Sequence, residues 1–161
     1  MVMLLISYVY ESKMNKYLKR IIGVIIGIIY LSSFAFECFL VDGKPSIGSF
    51  GLIAFLLGWL NIDFIGLIWL ANPLFLVSLF VFVFSKKVKL ALILSLLAFI
   101  LSVSFTQIGE IIKDEAGHIG QITDYLLGYW IWVISQFILL IVLILINILN
   151  YKKPIHGTLI S

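Results

Sequence analysis

Seven side chains stand out in a chain that otherwise offers little chemistry. Glu37, Asp63, Asn72, Glu115, His118, Asp124 and Trp130 are the residues that could bind a ligand or a partner. Glu115 and His118 lie three apart, so on a helix they would share a face. With Glu110, Asp114 and Asp124 they crowd one short stretch. Carboxylates with one imidazole can hold a divalent cation. No recognised metal spacing is present, and a solvated, charged loop is the plainer reading. Glu37 falls near the end of an apolar run. An ionisable group inside a membrane span is costly and points to function, unless it reaches the interface or pairs with Lys44. Asp63 sits at the start of another apolar run, and Asn72-Pro73 near its middle. Proline removes a backbone hydrogen bond and kinks a helix. Asn72 and the carbonyl freed around Trp69 then need partners in a dry environment, and Ser95, Ser102 and Gln136 are the candidates. A midplane polar site for a ligand or ion is the functional reading. Helix packing through interhelical hydrogen bonds is the plainer one. Trp130 groups with Trp59, Tyr125, Tyr129 and Trp132 as an aromatic belt. Beside the acids, the same residues would make a protein-docking face.

Catalytic arrangements are missing from this list. His118 has no marked serine motif near it, and no glycine loop could cradle a phosphate. The single cysteine, Cys38, excludes an internal disulfide and a CxxC pair. No cofactor and no metal are expected.

The elements that position these residues follow from composition. Of 161 residues, 63% are hydrophobic and 12% charged, against about 25% charged in ordinary soluble domains. Such a chain needs lipid around it, and a span needs roughly 20 residues. Met1–Tyr10 is apolar but too short to cross, and it lacks the basic start and cleavage site of a signal peptide. It reads as an interfacial segment, or translation begins at Met14. Four spans follow, at about 21–41, 63–84, 90–112 and 126–149. Residues 42–62 and 113–125 form the outer segments, and Asp42-Gly43-Lys44-Pro45 is a turn. The glycine-rich stretch Gly48–Leu60 is expected to pack at the outer interface as a re-entrant or surface helix. The whole chain forms one transmembrane domain. Its fold class is an all-α, integral-membrane four-helix bundle.

Charge sets the orientation. Of the 11 basic residues, only Lys44 and Lys113 fall on the outer side. The rest flank the spans on the other side, which the positive-inside rule makes cytoplasmic. Both termini then lie in the cytoplasm. Of the 8 acids, only Glu11 stays inside, so the outer face is electronegative. Short basic flanks beside lipid attract anionic headgroups rather than nucleic acid. Gly23-x-x-x-Gly27 permits a close helix approach, within the bundle or in a dimer.

The segment Gly58-Trp59-Leu60, the run W-L-A-N-P at 69–73 and the stretch D-E-A-G-H…I-T-D-Y-L-L-G-Y-W-I-W-V-I-S at 114–135 are similar to a group of small, uncharacterised four-helix bacterial inner-membrane proteins. The resemblance covers roughly Gly48–Ser135. It implies a topology and a bacterial cytoplasmic membrane, and it brings no activity. Three functions compete. The first is non-enzymatic binding of a membrane protein partner through the outer acidic–aromatic face. The second is an oligomeric transporter or channel subunit using Glu37, Asn72 and Gln136. The last is a lipid-modifying enzyme with Glu37, Glu115, His118 and Asp124 as acid–base groups.

Overall fold

The computed structural model describes residues 16–60, 64–112 and 117–151. The question of residues 1–13 therefore lies outside the described part, as do Asp63 and Glu115. The chain is mostly helical, with one small sheet. Four helical stretches are long and apolar enough to cross a membrane: Lys16–Ala35, Phe64–Phe84, Val88–Gln107 and Leu127–Leu149.

Helix α1 (Lys16–Ser32) continues as a 3-10 turn, Ser33–Ala35. After a short extended strap comes β1 (Phe39–Val41), then the short helix α2 (Gly51–Leu57). The second apolar stretch is split into α3 (Phe64–Trp69) and α4 (Ala71–Phe84). A basic turn leads to α5 (Val88–Ser104). Strands β2 (Glu110–Ile112) and β3 (Ile119–Tyr125) precede the last helix, α6 (Leu127–Tyr151).

Two span boundaries need correction. The first span does not run to Val41, because the helix stops at Ala35 and Phe39–Val41 is a strand. The third does not reach residue 112, because the helical backbone ends at Gln107 and Glu110–Ile112 pairs as β2. The outer segment 113–125, expected as a loop, holds β3. The reason is the same in each case. Phe39-Leu40-Val41, Ile111-Ile112 and Ile122-Thr123 are rich in β-branched and aromatic residues that suit a pleated surface, and apolar content alone does not separate them from helix.

The sheet has the order β1-β3-β2 and is antiparallel throughout. Phe39 faces Tyr125 and Leu40 faces Asp124, but Val41 faces Ile122, so the register slips between Leu40 and Val41. Asp42 (φ 52°) and Gly43 (φ 74°) turn the chain after β1. Two consecutive positive φ values are what a type I′ turn requires, and Asp-Gly supplies them at low cost.

The helices alternate in direction. α4, α5 and α6 pack in sequence, and α1 packs against α6 and α4, closing the ring. Lys16, Lys19 and Arg20 begin α1, and Lys86, Lys87 and Lys89 lie at the turn between α4 and α5, so these basic residues share one end. The sheet covers the other end. α5 faces its neighbours with Ala91, Ser95, Ala98 and Ser102, none with any exposed surface. Small residues at this spacing let helix backbones approach closely. Gly23 does the same for α1, since a Cβ there would collide with Val83 Cγ2, whereas at Gly27 the nearest atom, Leu79 Cδ2, is 3.8 Å away. The Gly-x-x-x-Gly face therefore packs within the chain.

Ser78 Oγ donates to Ala91 O at 2.7 Å, across from α4 to α5. That carbonyl is the one a serine at position 95 would ordinarily reach, four residues on. Ser95 Oγ is buried and has no hydrogen-bond partner among the described residues. An unmet buried hydroxyl costs about 1–3 kcal/mol. Ser95→Ala should therefore leave thermal stability in detergent unchanged or raise it, while Ser78→Ala lowers it. A fall on Ser95→Ala as large as that on Ser78→Ala would sink this assignment.

Candidate functional site

The sheet end holds a half-open cavity of about 250 Å³. Its construction starts with the strap Phe36–Cys38. On one side, Gly51 N–H donates to Phe36 O (3.0 Å) and Cys38 N–H to Ser49 O (2.8 Å). On the other, Leu126 N–H donates to Cys38 O (2.8 Å) and Gly128 N–H to Glu37 O (3.0 Å). The strap thus joins the start of α2 to the start of α6. Glycine on both flanks permits this approach. A Cβ at Gly51 would meet Ser33 O, with Phe34 Cα and Phe36 O at 3.1 Å, and one at Gly128 would lie 2.8 Å from both Phe36 O and Glu37 O.

Beneath the strap lies a second core cluster, formed by Phe39, Val41, Ile68, Phe105, Tyr129 and Val133. α2 covers the cavity and is pinned from below, since Trp69 Nε1 donates to Phe55 O at 2.7 Å. At the deep end stands Asn72. Its Oδ1 accepts from Tyr30 OH (2.8 Å) and from Trp132 Nε1 (2.8 Å). Its Nδ2 donates to Trp69 O at 3.1 Å. That carbonyl is the one Pro73 cannot serve, being four residues back and facing a nitrogen without a proton. Leu70 N–H bonds Leu67 O instead of continuing the α pattern, and the helix breaks there. The expected partners of Asn72 are thus corrected. Ser102 Oγ bonds Phe99 O, and Ser95 is orphaned. Gln136 joins only indirectly. In the orientation that satisfies its amide, it donates to Ala98 O (2.9 Å) and accepts from Trp132 Nε1 (3.2 Å).

The remaining sequence candidates are scattered. Glu37 is not inside a helix. It lies on the extended strap, half-buried, and its carboxylate accepts from Ser49 Oγ. Asp124 is exposed on β3, and His118 is exposed just before it. Trp130 is 47% exposed, and its Nε1 donates to Tyr125 O at 3.3 Å. Of the five that are described, only Asn72 borders the cavity. Among the described residues no three of His, Cys, Asp and Glu converge on a point that could hold a metal ion. Sequence reasoning assigns no site role to Tyr30, the Trp69 indole, the Cys38 thiol or Phe105. A signal existed for two of them, because a tyrosine or tryptophan inside an apolar helix must find a partner for its polar tip.

Cys38 borders the cavity. Burial, with the neighbouring Glu37 carboxylate adding to it, pushes the thiol up to about 12. The thiolate is the reactive form, so at neutral pH Cys38 in the folded protein is poorly nucleophilic. Maleimide labelling of native protein should be at least tenfold slower than after denaturation in detergent, and should go on rising roughly tenfold per pH unit above pH 9, where an ordinary thiol has levelled off. Equal rates in the two states at pH 7 would show that the strap leaves the thiol open.

Compared with known proteins, the chain matches no family model, no curated protein and no solved structure. Its function must therefore be read from the geometry.

Proposed function

We propose that this chain is a multi-pass protein of a bacterial cytoplasmic membrane that acts without catalysis, binding a membrane partner through its outer face. Four apolar helices with long exposed stripes support the membrane. Ile21, Val24, Ile25 and Ile28 on α1 are more than half exposed, as are Phe80 and Phe84 on α4 and Ile93 and Ile100 on α5. Soluble proteins rarely expose apolar surface on this scale. Basic residues gathered at one helix end support a four-span bundle with that end, and both termini, in the cytoplasm. The observation that carries the binding reading is the stitched sheet at the opposite end. Its exposed residues include Glu110, Gln121, Thr123 and Asp124, beside Trp130. A rigid backbone displaying acids next to an aromatic suits docking, and neither cofactor nor nucleic acid enters this reading. The transporter reading finds less support, because the oxygen and nitrogen of the Asn72 amide are both bonded to protein groups.

Two measurements test the proposal. In a variant with Cys38→Ser, a cysteine placed at Gly43 should react with an impermeant maleimide added outside intact cells, and one placed at Lys87 should not. A photocrosslinking residue at Asp124 should then give a discrete protein adduct that the same residue at Ile93 does not. Reversed labelling overturns the orientation, and matching adduct patterns at the two positions overturn the docking face.

A further inference from the structure

We infer that the cavity beneath α2 is a binding site for one hydrocarbon chain of a membrane lipid. The inference rests on the membrane reading above but not on the partner. Three observations carry it, beginning with size. At about 250 Å³, the space exceeds the engineered apolar cavities of about 150 Å³ that already bind benzene. The second is the state of its polar lining. Ser33 Oγ donates to Tyr30 O, Trp69 Nε1 to Phe55 O, and Tyr129 OH to Ser102 O. Asn72 Oδ1 accepts from Tyr30 OH and from Trp132 Nε1, and its Nδ2 donates to Trp69 O. A buried water needs two to four polar partners, and these groups are already engaged. A polar ligand would meet the same difficulty, whereas an alkyl chain needs only contact. The rest of the lining is Ile, Leu, Ala, Gly and Phe with the weakly polar Cys38.

The third observation is the rim. Ile47 is 82% exposed, Leu57 51% and Ile112 56%, and all three line the cavity. Apolar side chains left outward at an opening, above an interior with its polar groups paired, make an apolar entrance to that interior. In a bilayer the surrounding apolar molecules are lipid chains, present in large excess over any other apolar solute. The opening lies at the sheet end, where a chain can enter while its headgroup stays in the interface.

The test uses the full chain in nanodiscs with palmitic acid that carries a diazirine near its methyl end. Photolysis followed by peptide mass spectrometry should place adducts on the cavity lining, for example at Ala54, Ile68 or Tyr129. Excess unlabelled palmitate should remove them, and benzene at the same concentration should not. Gly48→Phe tests the entrance. Gly48 lines the cavity, and nothing lies within 4 Å of a Cβ built there, so the fold should tolerate the ring. It should cut lining adducts at least tenfold, while Ile93→Phe on the exposed face of α5 leaves them unchanged. Ala54→Trp, which fills the space from α2, should act as Gly48→Phe does. Adducts spread evenly over the exposed helix faces and indifferent to Gly48→Phe overturn the site. Displacement by benzene but not by palmitate overturns the chain and identifies a compact aromatic instead. Liposome flotation is read separately. If the protein does not float, the membrane reading itself has failed. If it floats while the adducts stay diffuse, only the lipid-chain site has failed.

Discussion

Gly51→Ala is expected to detach α2 from the strap and open the cavity. The added methyl would meet Ser33 O and crowd Phe34 Cα and Phe36 O. These are backbone atoms, held by the bonds of Gly51 N–H to Phe36 O and of Ser33 Oγ to Tyr30 O. A flexible side chain could swing aside, but a stitched backbone cannot. The cost should sit at the upper end of the about 1–3 kcal/mol typical of overpacking, or above it. Gly48→Ala, three residues earlier with open space around it, should stay within about 0.5 kcal/mol of the parent. The readout is maleimide labelling of Cys38 alongside thermal unfolding in detergent. Gly51→Ala should raise the labelling rate at least tenfold and lower the melting temperature, and Gly48→Ala should do neither. If the two variants behave alike, the strap does not hold α2 in place.

Asn72→Leu carries the second large effect. One side-chain oxygen accepts from both Tyr30 and Trp132, and the amide nitrogen covers the carbonyl that Pro73 leaves bare. Leucine removes all three bonds and leaves the partners in place. Interhelical hydrogen bonds in lipid average only about 0.6 kcal/mol each, so simple loss of the two tertiary bonds predicts little more than about 1 kcal/mol. Orphaning is the stronger effect. A buried polar group without a partner costs about 1–3 kcal/mol, and three would be stranded, one of them eased by Gln136 at 3.2 Å. The expected loss is therefore on the order of 3 kcal/mol in a detergent-denaturation titration. Tyr30→Phe alone should cost less, because Trp132 still serves the Asn72 oxygen. Added to Asn72→Leu, Tyr30→Phe should restore part of the loss, since it deletes an orphaned hydroxyl. Strictly additive losses would mean that the two side chains are not coupled, against the 2.8 Å contact.

The four apolar helices were legible because lipid-length runs bounded by charge are hard to mistake. Lys86, Lys87 and Lys89 mark a turn that composition alone reveals. The sheet was not legible. Phe39-Leu40-Val41 continues an apolar run without a break, and only its pairing with β3, far along the chain, makes it a strand. Glu37 was misplaced for the same reason, since its helix ends at Ala35 for tertiary causes. The need of Asn72 for partners was legible from Pro73, because a missing N–H always strands a carbonyl. The identity of the partners was not. Ser95, Ser102 and Gln136 are the obvious polar residues on neighbouring helices, but the bonds come from the tips of Tyr30, which merges into an apolar run of the sequence, and of Trp132, which reads there as a belt residue. The cavity had no signature in the sequence, because it is a space between elements.

The strap and β1 have a consequence for how the chain is made. Asp42 accepts from the backbone of Gln121, 79 residues later, and Gly43 N–H donates to Thr123, 80 residues later. Translation proceeds from the N-terminus, so the first apolar helix and its strand must wait, unpaired, until the last hairpin leaves the ribosome. Long-range pairing of this kind is slow compared with local helix formation. The chamber under α2 thus cannot form until β3 and the first turns of α6 have been made. A nascent chain stalled before Ile119 can hold three of the four long apolar helical stretches and still have no β3 to pair with its first strand. An occupant of that chamber would therefore find no complete site on a chain that lacks β3 and the start of α6.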